Sequence, residues 1–297
     1  MARIIDIHVH LYPEEVSRDP VGWALSRGEP HWGRLVSPGP DNRPSLQGWS
    51  EVEGLLREMD RAGVDRAVLQ GWYWENQESC DWHNGYALAC IRAHPDRLSA
   101  FAAVQPGAGP RAFESIRRVR DEGFLGLGEL CPSAQGGTLR DPAWVEAMGL
   151  ASELGLVVLF HADEMVGRPH HGRVSTPPGD FQWMLEQVAD LKVILAHLGG
   201  GLVFHWMNRG TKRLFDRVWF DTAATSLLYD PGVHAAAVAC GAGHRILFGS
   251  DFPLVTHPRL GGEPDLVRVL DELRRSGLTA AEVERILATN AEELFEF

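Results

Sequence analysis

The segment Ile4-Ile5-Asp6-Ile7-His8-Val9-His10 is the first predicted strand of the chain. Side chains alternate along a strand, so Asp6, His8 and His10 are expected to lie on one side of it. In a barrel that side is the interior, which apolar side chains normally fill. Three buried polar side chains need partners, and one metal ion would satisfy two imidazoles at once. The alternative interpretation is a hydrogen-bonded pair of core histidines.

Beyond this strand, short apolar strands and amphipathic helices alternate to the end of the chain. The predicted strands are residues 4–10, 66–69, 98–104, 125–130, 157–161, 192–197, 218–221 and 245–249. The predicted helices are residues 50–61, 80–94, 110–122, 141–154, 180–189, 202–215, 233–240 and 264–276, with a terminal helix from Thr279. Eight strand–helix units predict an α/β fold, a single-domain (β/α)8 TIM barrel over residues 1–297. An open dinucleotide-binding sheet is disfavoured, because no GxGxxG motif follows the first strand.

Local signals predict how two helices begin and where the barrel is covered. Ser50 with Glu53, and Thr279 with Glu282, have the spacing of capping boxes. Residues 11–49 separate the first strand from the first helix and contain six prolines, together with Trp23, Trp32 and Trp49. A connection of this length is usually functional or disordered, and the three tryptophans favour a packed loop that covers the active-site end of the barrel.

Charge and cysteine content exclude several classes of partner. The 297 residues include 40 acidic and 28 basic side chains, a formal net charge of −12. Nucleic-acid binding and attraction to anionic lipid both need a basic surface, so neither is expected. The four cysteines form no CxxC pair, and no apolar run approaches the roughly 20 residues of a membrane span. A cytoplasmic protein with a small-molecule substrate is predicted.

Four further polar residues end predicted strands. Glu129 ends strand four, His161 strand five and His197 strand six, and Asp251 follows strand eight. Barrel enzymes build their active sites at the carboxyl ends of the strands. Together with His8 and His10, these side chains are the residue types that bind divalent metals, so a metal site is predicted there.

Four motifs in the chain resemble the amidohydrolase superfamily, and within it the amidohydrolase-related group of decarboxylases, hydratases, lactonases and other hydrolases. They are Asp-Ile-His-Val-His at 6–10, Ala-His-Leu-Gly-Gly-Gly at 196–201, Gly-Ser-Asp-Phe-Pro at 249–253 and Ala-Thr-Asn-Ala-Glu-Glu-Leu-Phe at 288–295. The resemblance implies a distorted barrel with a divalent metal, commonly zinc with manganese as the alternative. It implies the ligands His8, His10, His161 and Asp251, with His197 on a second ion or polarising the substrate. A homodimer is compatible with the resemblance.

Glu129 leaves the number of metal ions open, at one or two. A similar Gly-Glu element in the TatD-like deoxyribonuclease branch serves the metal centre, so Glu129 with His197 would build a second site. Alternatively, the carboxylate orients a ligand imidazole. Nuclease activity itself conflicts with the charge of −12.

The same set of ligands is compatible with two reaction classes. In a hydrolase, a metal-activated water attacks an amide, ester or lactone carbonyl, Asp251 moves the proton, and His197 or a second metal stabilises the oxyanion. In a non-oxidative decarboxylase or hydratase, the metal holds the substrate and Asp251 protonates it. A barrel that only binds its ligand is the third hypothesis, disfavoured because every ligand position is occupied by a suitable residue.

Substrate contacts are predicted on two loops. The loop at 71–76 carries Trp72 and Trp74, and the loop after strand five carries Arg168 and Arg173. Arginine suits a carboxylate, so an aromatic or cyclic acid is the expected substrate. The alternative is that these arginines pair locally with Asp163 and Glu164 on a solvated loop.

Overall fold

Eight parallel strands form a barrel in the part of the chain that the structure describes, residues 3–39, 42–167 and 172–297 of a computed structural model. Neighbouring strands pair in chain order from β1 to β8. The strands are β1 Ile5–Val9, β2 Arg66–Leu69, β3 Leu98–Ala102, β4 Gly126–Leu130, β5 Val157–Phe160, β6 Lys192–Leu195, β7 Val218–Asp221 and β8 Ile246–Leu247. Backbone hydrogen bonds from Ile7 to Phe248 and from His10 to Phe252 join the first strand and the residue after it to the segment that follows β8. The predicted TIM barrel is therefore confirmed.

Helices follow the strands on the outside of this barrel. Between β1 and β5 they are Val52–Ala62, Gln77–Ala93, Pro110–Glu122 and Pro142–Glu153. After β5 they are Pro178–Gln187, Lys212–Phe215, Thr225–Leu228, Val233–Ala237, Leu266–Arg274, Ala280–Glu284 and Asn290–Phe295. The predicted helix at 202–215 is wrong in its middle, since a 3-10 helix over Leu202–Met207 gives way to a turn before Lys212. None of the helices among the described residues has the length and apolar character that crossing a membrane requires.

The two predicted capping boxes have different outcomes. Thr279 and Glu282 form theirs, with each side chain bound to the other residue's backbone N–H. The box at Ser50 is wrong, because the helix begins one residue later, after Glu51. The Ser50 hydroxyl donates instead to the carbonyl of Glu51.

The polar residues lie at the carboxyl ends of the strands. Apolar side chains fill the rest of the barrel interior, away from those ends. Ile5, Ile7, Phe101 and Leu159 belong to this cluster, which the terminal helix Asn290–Phe295 closes through Leu294. Burial of apolar area here stabilises the barrel and leaves only the carboxyl ends of the strands for polar chemistry.

The described residues of the covering segment, 11–39 and 42–49, are packed against the barrel and contain helices. Among the described residues of this covering segment, the helices are Glu14–Arg18, Pro20–Arg27 and Pro30–Val36. Trp23 and Trp32 are buried against the 71–76 loop, whereas Trp49 is partly exposed. The buried Glu29 carboxylate accepts hydrogen bonds from the backbone N–H groups of Glu75 and Asn76, which fastens the segment to that loop.

Candidate metal centre

The strand-end residues predicted from sequence converge into two groups of ligand atoms within the described part of the chain. His8, His10 and Asp251 form the first group, and Glu129, His161 and His197 form the second. In each group one nitrogen or oxygen atom from every member lies within 4.8 Å of the others. The resemblance implies that His161 shares one ion with His8, His10 and Asp251; in the structure its Nδ1 atom lies with Glu129 and His197 instead.

The first group has the spacing of ligands around a single ion. The Nε2 atoms of His8 and His10 are 3.1 Å apart, and Oδ1 of Asp251 lies 3.8 Å from the first and 3.5 Å from the second. Atoms bound at about 2.1 Å in a tetrahedron lie about 3.4 Å from one another. Buried imidazole and carboxylate groups at these distances fit a divalent metal.

The second group has similar spacing and a different orientation of one ring. The Nδ1 atom of His161 lies 2.9 Å from Oε1 of Glu129 and 3.2 Å from Nε2 of His197. Oε1 of Glu129 and Nε2 of His197 are 3.8 Å apart. Three donors from β4, β5 and the turn after β6 therefore fit a second ion.

Glu129 lies between the two groups. Its Oε1 atom belongs to the second group, while its Oε2 atom is 3.7 Å from Nε2 of His8 and 3.5 Å from Nε2 of His10. The side chain is only 2% exposed, so both oxygens are committed to the site. A carboxylate in this position can bind one ion through each oxygen.

Irregular strand backbone aims the ligands from β1 and β4. The pairing of β1 with β2 shifts register between Asp6 and Val9, and that of β4 with β5 shifts between Leu127 and Leu130. Such bulges redirect side chains beside active sites. Because of the bulge in β1, Asp6 does not lie on the same side as His8 and His10, as the alternation had predicted. The Asp6 carboxylate accepts hydrogen bonds from the backbone N–H groups of His8 and Ser250. Burial raises the pKa of Asp6 to about 7.

A left-handed turn after β6 places His197. Residues 197–201 all have positive φ, starting with His197 at 58° and Leu198 at 54°. Glycine is needed next, because a Cβ atom on Gly200 would lie 2.2 Å from the carbonyl oxygen of Asp163. The motif His-Leu-Gly-Gly-Gly is thus explained by backbone conformation and close packing.

Asp221, at the end of β7, contacts both groups and is not among the residues predicted from the sequence. It is fully buried, and its Oδ2 atom accepts a hydrogen bond of 2.8 Å from Nδ1 of His8. Its Oδ1 atom accepts from the backbone N–H of His197 at 2.9 Å and of Ala223 at 3.0 Å. One carboxylate thus orients a histidine of the first group and holds the turn that carries a histidine of the second. The signal was present, since Asp221 also ends an apolar strand.

Hydrogen bonds fix which nitrogen His8 and His197 present. His8 donates from Nδ1 to Asp221, and His197 donates from Nδ1 to the carbonyl of Ala223 at 2.9 Å, so each directs its Nε2 atom into the site. His161 is reversed: its Nε2 atom lies 3.4 Å from Oδ1 of Asp163 and its Nδ1 atom enters the site. The tautomers of His8 and His197 are assigned from their hydrogen-bond partners.

The buried charges of the site shift one another's pKa values. Burial opposes protonation of His8, but the charge and hydrogen bond of Asp221 outweigh it and raise the His8 pKa well above its ordinary value. Burial likewise opposes protonation of His161, whose pKa is raised by Asp163 and Glu129. For Glu129 burial favours the protonated form, yet the charge of His161 and the surrounding hydrogen bonds hold its pKa well below its usual range. Glu129 is therefore ionised, and its charge favours a cation in the site.

The residues predicted to contact the substrate lie in different surroundings, and among the described ones Trp72 is the one that packs against a candidate ligand. Trp72 lies against the site, with its ring 5.4 Å from that of His10, whereas Trp74 is fully buried and donates from Nε1 to Nδ1 of His83. Trp74 therefore packs the covering segment. The guanidinium of Arg173 donates to the carbonyls of Glu164 and Gly167, so it holds its own loop through main-chain atoms. Arg168 lies outside the described residues.

Known structures share this barrel. A 2,6-dihydroxybenzoate decarboxylase from Rhizobium has 18% sequence identity and a TM-score of 0.67, over 100% of this chain and 99% of that chain. A 5-carboxyvanillate decarboxylase from Novosphingobium aromaticivorans, complexed with manganese and 4-hydroxy-3-methoxy-5-nitrobenzoic acid, has 15% identity and a TM-score of 0.70, over 99% and 96%. A probable 2-pyrone-4,6-dicarboxylic acid hydrolase from Acinetobacter baumannii, with citric acid bound, has 18% identity and a TM-score of 0.64, over 100% of both chains.

The family assignment rests on a match along nearly the whole chain. No curated protein sequence matches it. The amidohydrolase family model matches residues 5–297, which include all six candidate ligands and Asp221. The chain belongs to the amidohydrolase family.

Proposed function

We propose that this chain is a metal-dependent hydrolase that holds two divalent ions and attacks the carbonyl of a small amide, ester or lactone with water. The position of Glu129 supports this proposal most directly, because each of its carboxylate oxygens faces a different group of ligands. Two ions held this way would supply Lewis-acid activation of both the water and the carbonyl. A carboxylate that only oriented an imidazole would need no contact with both groups.

Asp251 is the residue that moves the proton in this reaction. Its side chain is 13% exposed, and only His161 among the other ligands has comparable exposure, at 12%. A substrate therefore reaches the site on the side of these two residues. The Asp251 carboxylate accepts a proton from the attacking water and returns it to the leaving group.

His197 acts as a ligand in this proposal. Its Nδ1–H donates to the carbonyl of Ala223, and its Nε2 atom lies 3.2 Å from Nδ1 of His161 within the second ligand group. This orientation supports a role in the second ligand group and leaves stabilisation of the oxyanion to other groups.

Metal content tests the two-ion arrangement. We expect about two equivalents of divalent metal in the wild-type protein and about one in Glu129→Gln, since the amide cannot bridge two cations. Glu153→Gln, which changes an exposed helical glutamate in the same way, should keep both. Elemental analysis after dialysis against metal-free buffer makes the measurement. An unchanged metal content in Glu129→Gln would return Glu129 to the role of orienting a ligand.

Non-oxidative decarboxylation is the second candidate, because two of the three structures described above are decarboxylases. Incubation with dihydrocoumarin, 2-pyrone-4,6-dicarboxylate, 2,6-dihydroxybenzoate and 5-carboxyvanillate, followed by mass spectrometry, separates the two. Products that gain one water support hydrolysis. Loss of carbon dioxide from the benzoates without any water addition would replace it with the lyase.

The proposed metal is zinc, with manganese as the alternative. Imidazole with carboxylate suits both ions, and the softer thiolate ligands that would exclude manganese are absent from both groups. We also propose that the enzyme works in the cytoplasm, supported by its four free cysteines. Metal analysis of protein purified without added metal tests the first of these proposals.

A further inference from the structure

Tyr12 lies at the next alternate position of the chain after His8 and His10. Its side chain is 1% exposed, and its hydroxyl is buried without a hydrogen-bond partner among the described residues. Almost all buried polar groups in folded proteins have a partner, and an unpaired one is unfavourable for folding. A hydroxyl kept in such a position needs a reason other than stability.

Aromatic neighbours fix the position of the Tyr12 ring. It lies nearly parallel to the ring of His10 at a centroid distance of 6.3 Å, and Trp32 and Trp72 pack against it at 4.9 Å and 6.3 Å. Phenylalanine would make these ring contacts equally well. Packing therefore explains the ring and leaves the hydroxyl unexplained.

The surroundings of the phenol connect it to the candidate metal centre. Burial, and after it the charges of Asp251 and Glu129, raise the pKa of the Tyr12 hydroxyl well above its ordinary value. Trp72, which contacts Tyr12, also lies against His10. The ring of Tyr12 therefore lies beside the first ligand group.

We propose that Tyr12 is a catalytic residue whose hydroxyl donates a hydrogen bond to the carbonyl oxygen of the substrate as that oxygen gains negative charge. This inference rests on the proposed hydrolysis. It supplies a donor to the carbonyl oxygen, while the Nε2 atom of His197 belongs to the second ligand group. The hydroxyl keeps its proton throughout, and its partner is the substrate, which accounts for the missing partner inside the protein.

Tyr12→Phe tests this role, with Tyr86→Phe as the matched control on the outer helix Gln77–Ala93. Removal of one preorganised oxyanion donor typically lowers kcat by roughly 10²–10³-fold. We expect such a loss for Tyr12→Phe on dihydrocoumarin with little change in KM, and none for Tyr86→Phe. Because the hydroxyl has no partner in the protein, Tyr12→Phe should also keep its melting temperature and its metal content. Unchanged kcat, or a lower melting temperature that accounts for the loss, would overturn the proposal.

A binding measurement separates this inference from the proposed function. Inorganic phosphate is a tetrahedral oxyanion, and we expect Tyr12→Phe to bind it about tenfold more weakly than the metal-loaded wild type by calorimetry. That difference would support the donor even if the product analysis replaced hydrolysis with decarboxylation. Equal phosphate affinity in the two proteins would overturn the role of Tyr12, whatever reaction the wild type performs.

Discussion

The two ligand groups of the site are supported in different ways. In the first, His8 has no solvent exposure and is held by Asp221 at 2.8 Å, and that carboxylate is itself fixed by two backbone N–H groups. In the second, His161 is 12% exposed and lies 3.4 Å from Asp163, which belongs to the loop after β5. The residues that contact a metal ligand on the side away from the metal determine its orientation and the metal affinity. We therefore expect the first ion to be bound more tightly than the second.

Loss of Asp221 should have the largest effect, because it should reduce both the stability of the fold and the metal affinity of both groups. In Asp221→Asn one amide cannot accept from His8 and from the two backbone N–H groups as the carboxylate does. Breaking a buried charged network costs roughly 3–5 kcal/mol, and loss of an outer partner lowers metal affinity about 10–100-fold. We expect both groups to weaken, because Asp221 also holds the His197 turn.

Urea denaturation in the presence of a chelator and metal titration by calorimetry measure the two effects of Asp221→Asn separately. Asp216→Asn, an exposed position before β7, is the control. If the variant kept wild-type affinity for both ions, the prediction that Asp221 supports both groups would be wrong.

The sequence identifies the polar residues that converge at the strand ends, but it does not reveal how they are grouped. Glu129, His161 and His197 are visible because each ends an apolar strand, and the carboxyl ends of barrel strands converge. Which imidazole nitrogen enters the site depends on partners such as Asp163 and Ala223, which no local pattern reveals. The position of His161 with Glu129 and His197 therefore becomes apparent only in three dimensions.

In the fold as well, sequence patterns predict some features, whereas others depend on contacts that no local pattern reveals. Alternation of strands and helices predicts the barrel because each unit buries a continuous apolar face. The helices of the covering segment, such as Glu14–Arg18, are too short for a helical period to emerge. The register shift in β1 also escapes an alternation rule, so the different environment of Asp6 was not predicted.

Acid should weaken the anchoring of the covering segment beside the first group. His83 accepts from Nε1 of Trp74 and donates from Nε2 to the carbonyl of Leu11, and burial lowers its pKa from 6.5 to about 4. The unfolded chain therefore binds the proton first as the pH falls. The stability that neutral His83 contributes is present above pH 6.5 and is lost as the pH falls through 4, on the order of 3 kcal/mol.

Unfolding free energies measured across this pH range in wild type and His83→Gln test the effect of His83. The wild type should lose more stability than the variant, and the difference should vanish above neutral pH apart from a constant offset. His205→Gln, at an exposed position, should follow the wild type. Parallel profiles for wild type and His83→Gln would show that His83 has an ordinary pKa in the folded protein.

Loss of Asp163 should have the smallest effect, a lower metal affinity in the second group alone. Asp163→Ala removes the carboxylate beside Nε2 of His161, while the contacts of His8 and Asp221 stay intact. The contact is long and the histidine partly exposed, so we expect about a tenfold loss of affinity for the second ion alone. Metal titration should show one unchanged and one weakened site, with Asp230→Ala, at an exposed loop position, as the control. Equal weakening of both sites would mean that the two groups share one support, and the asymmetry inferred from their outer partners would fail.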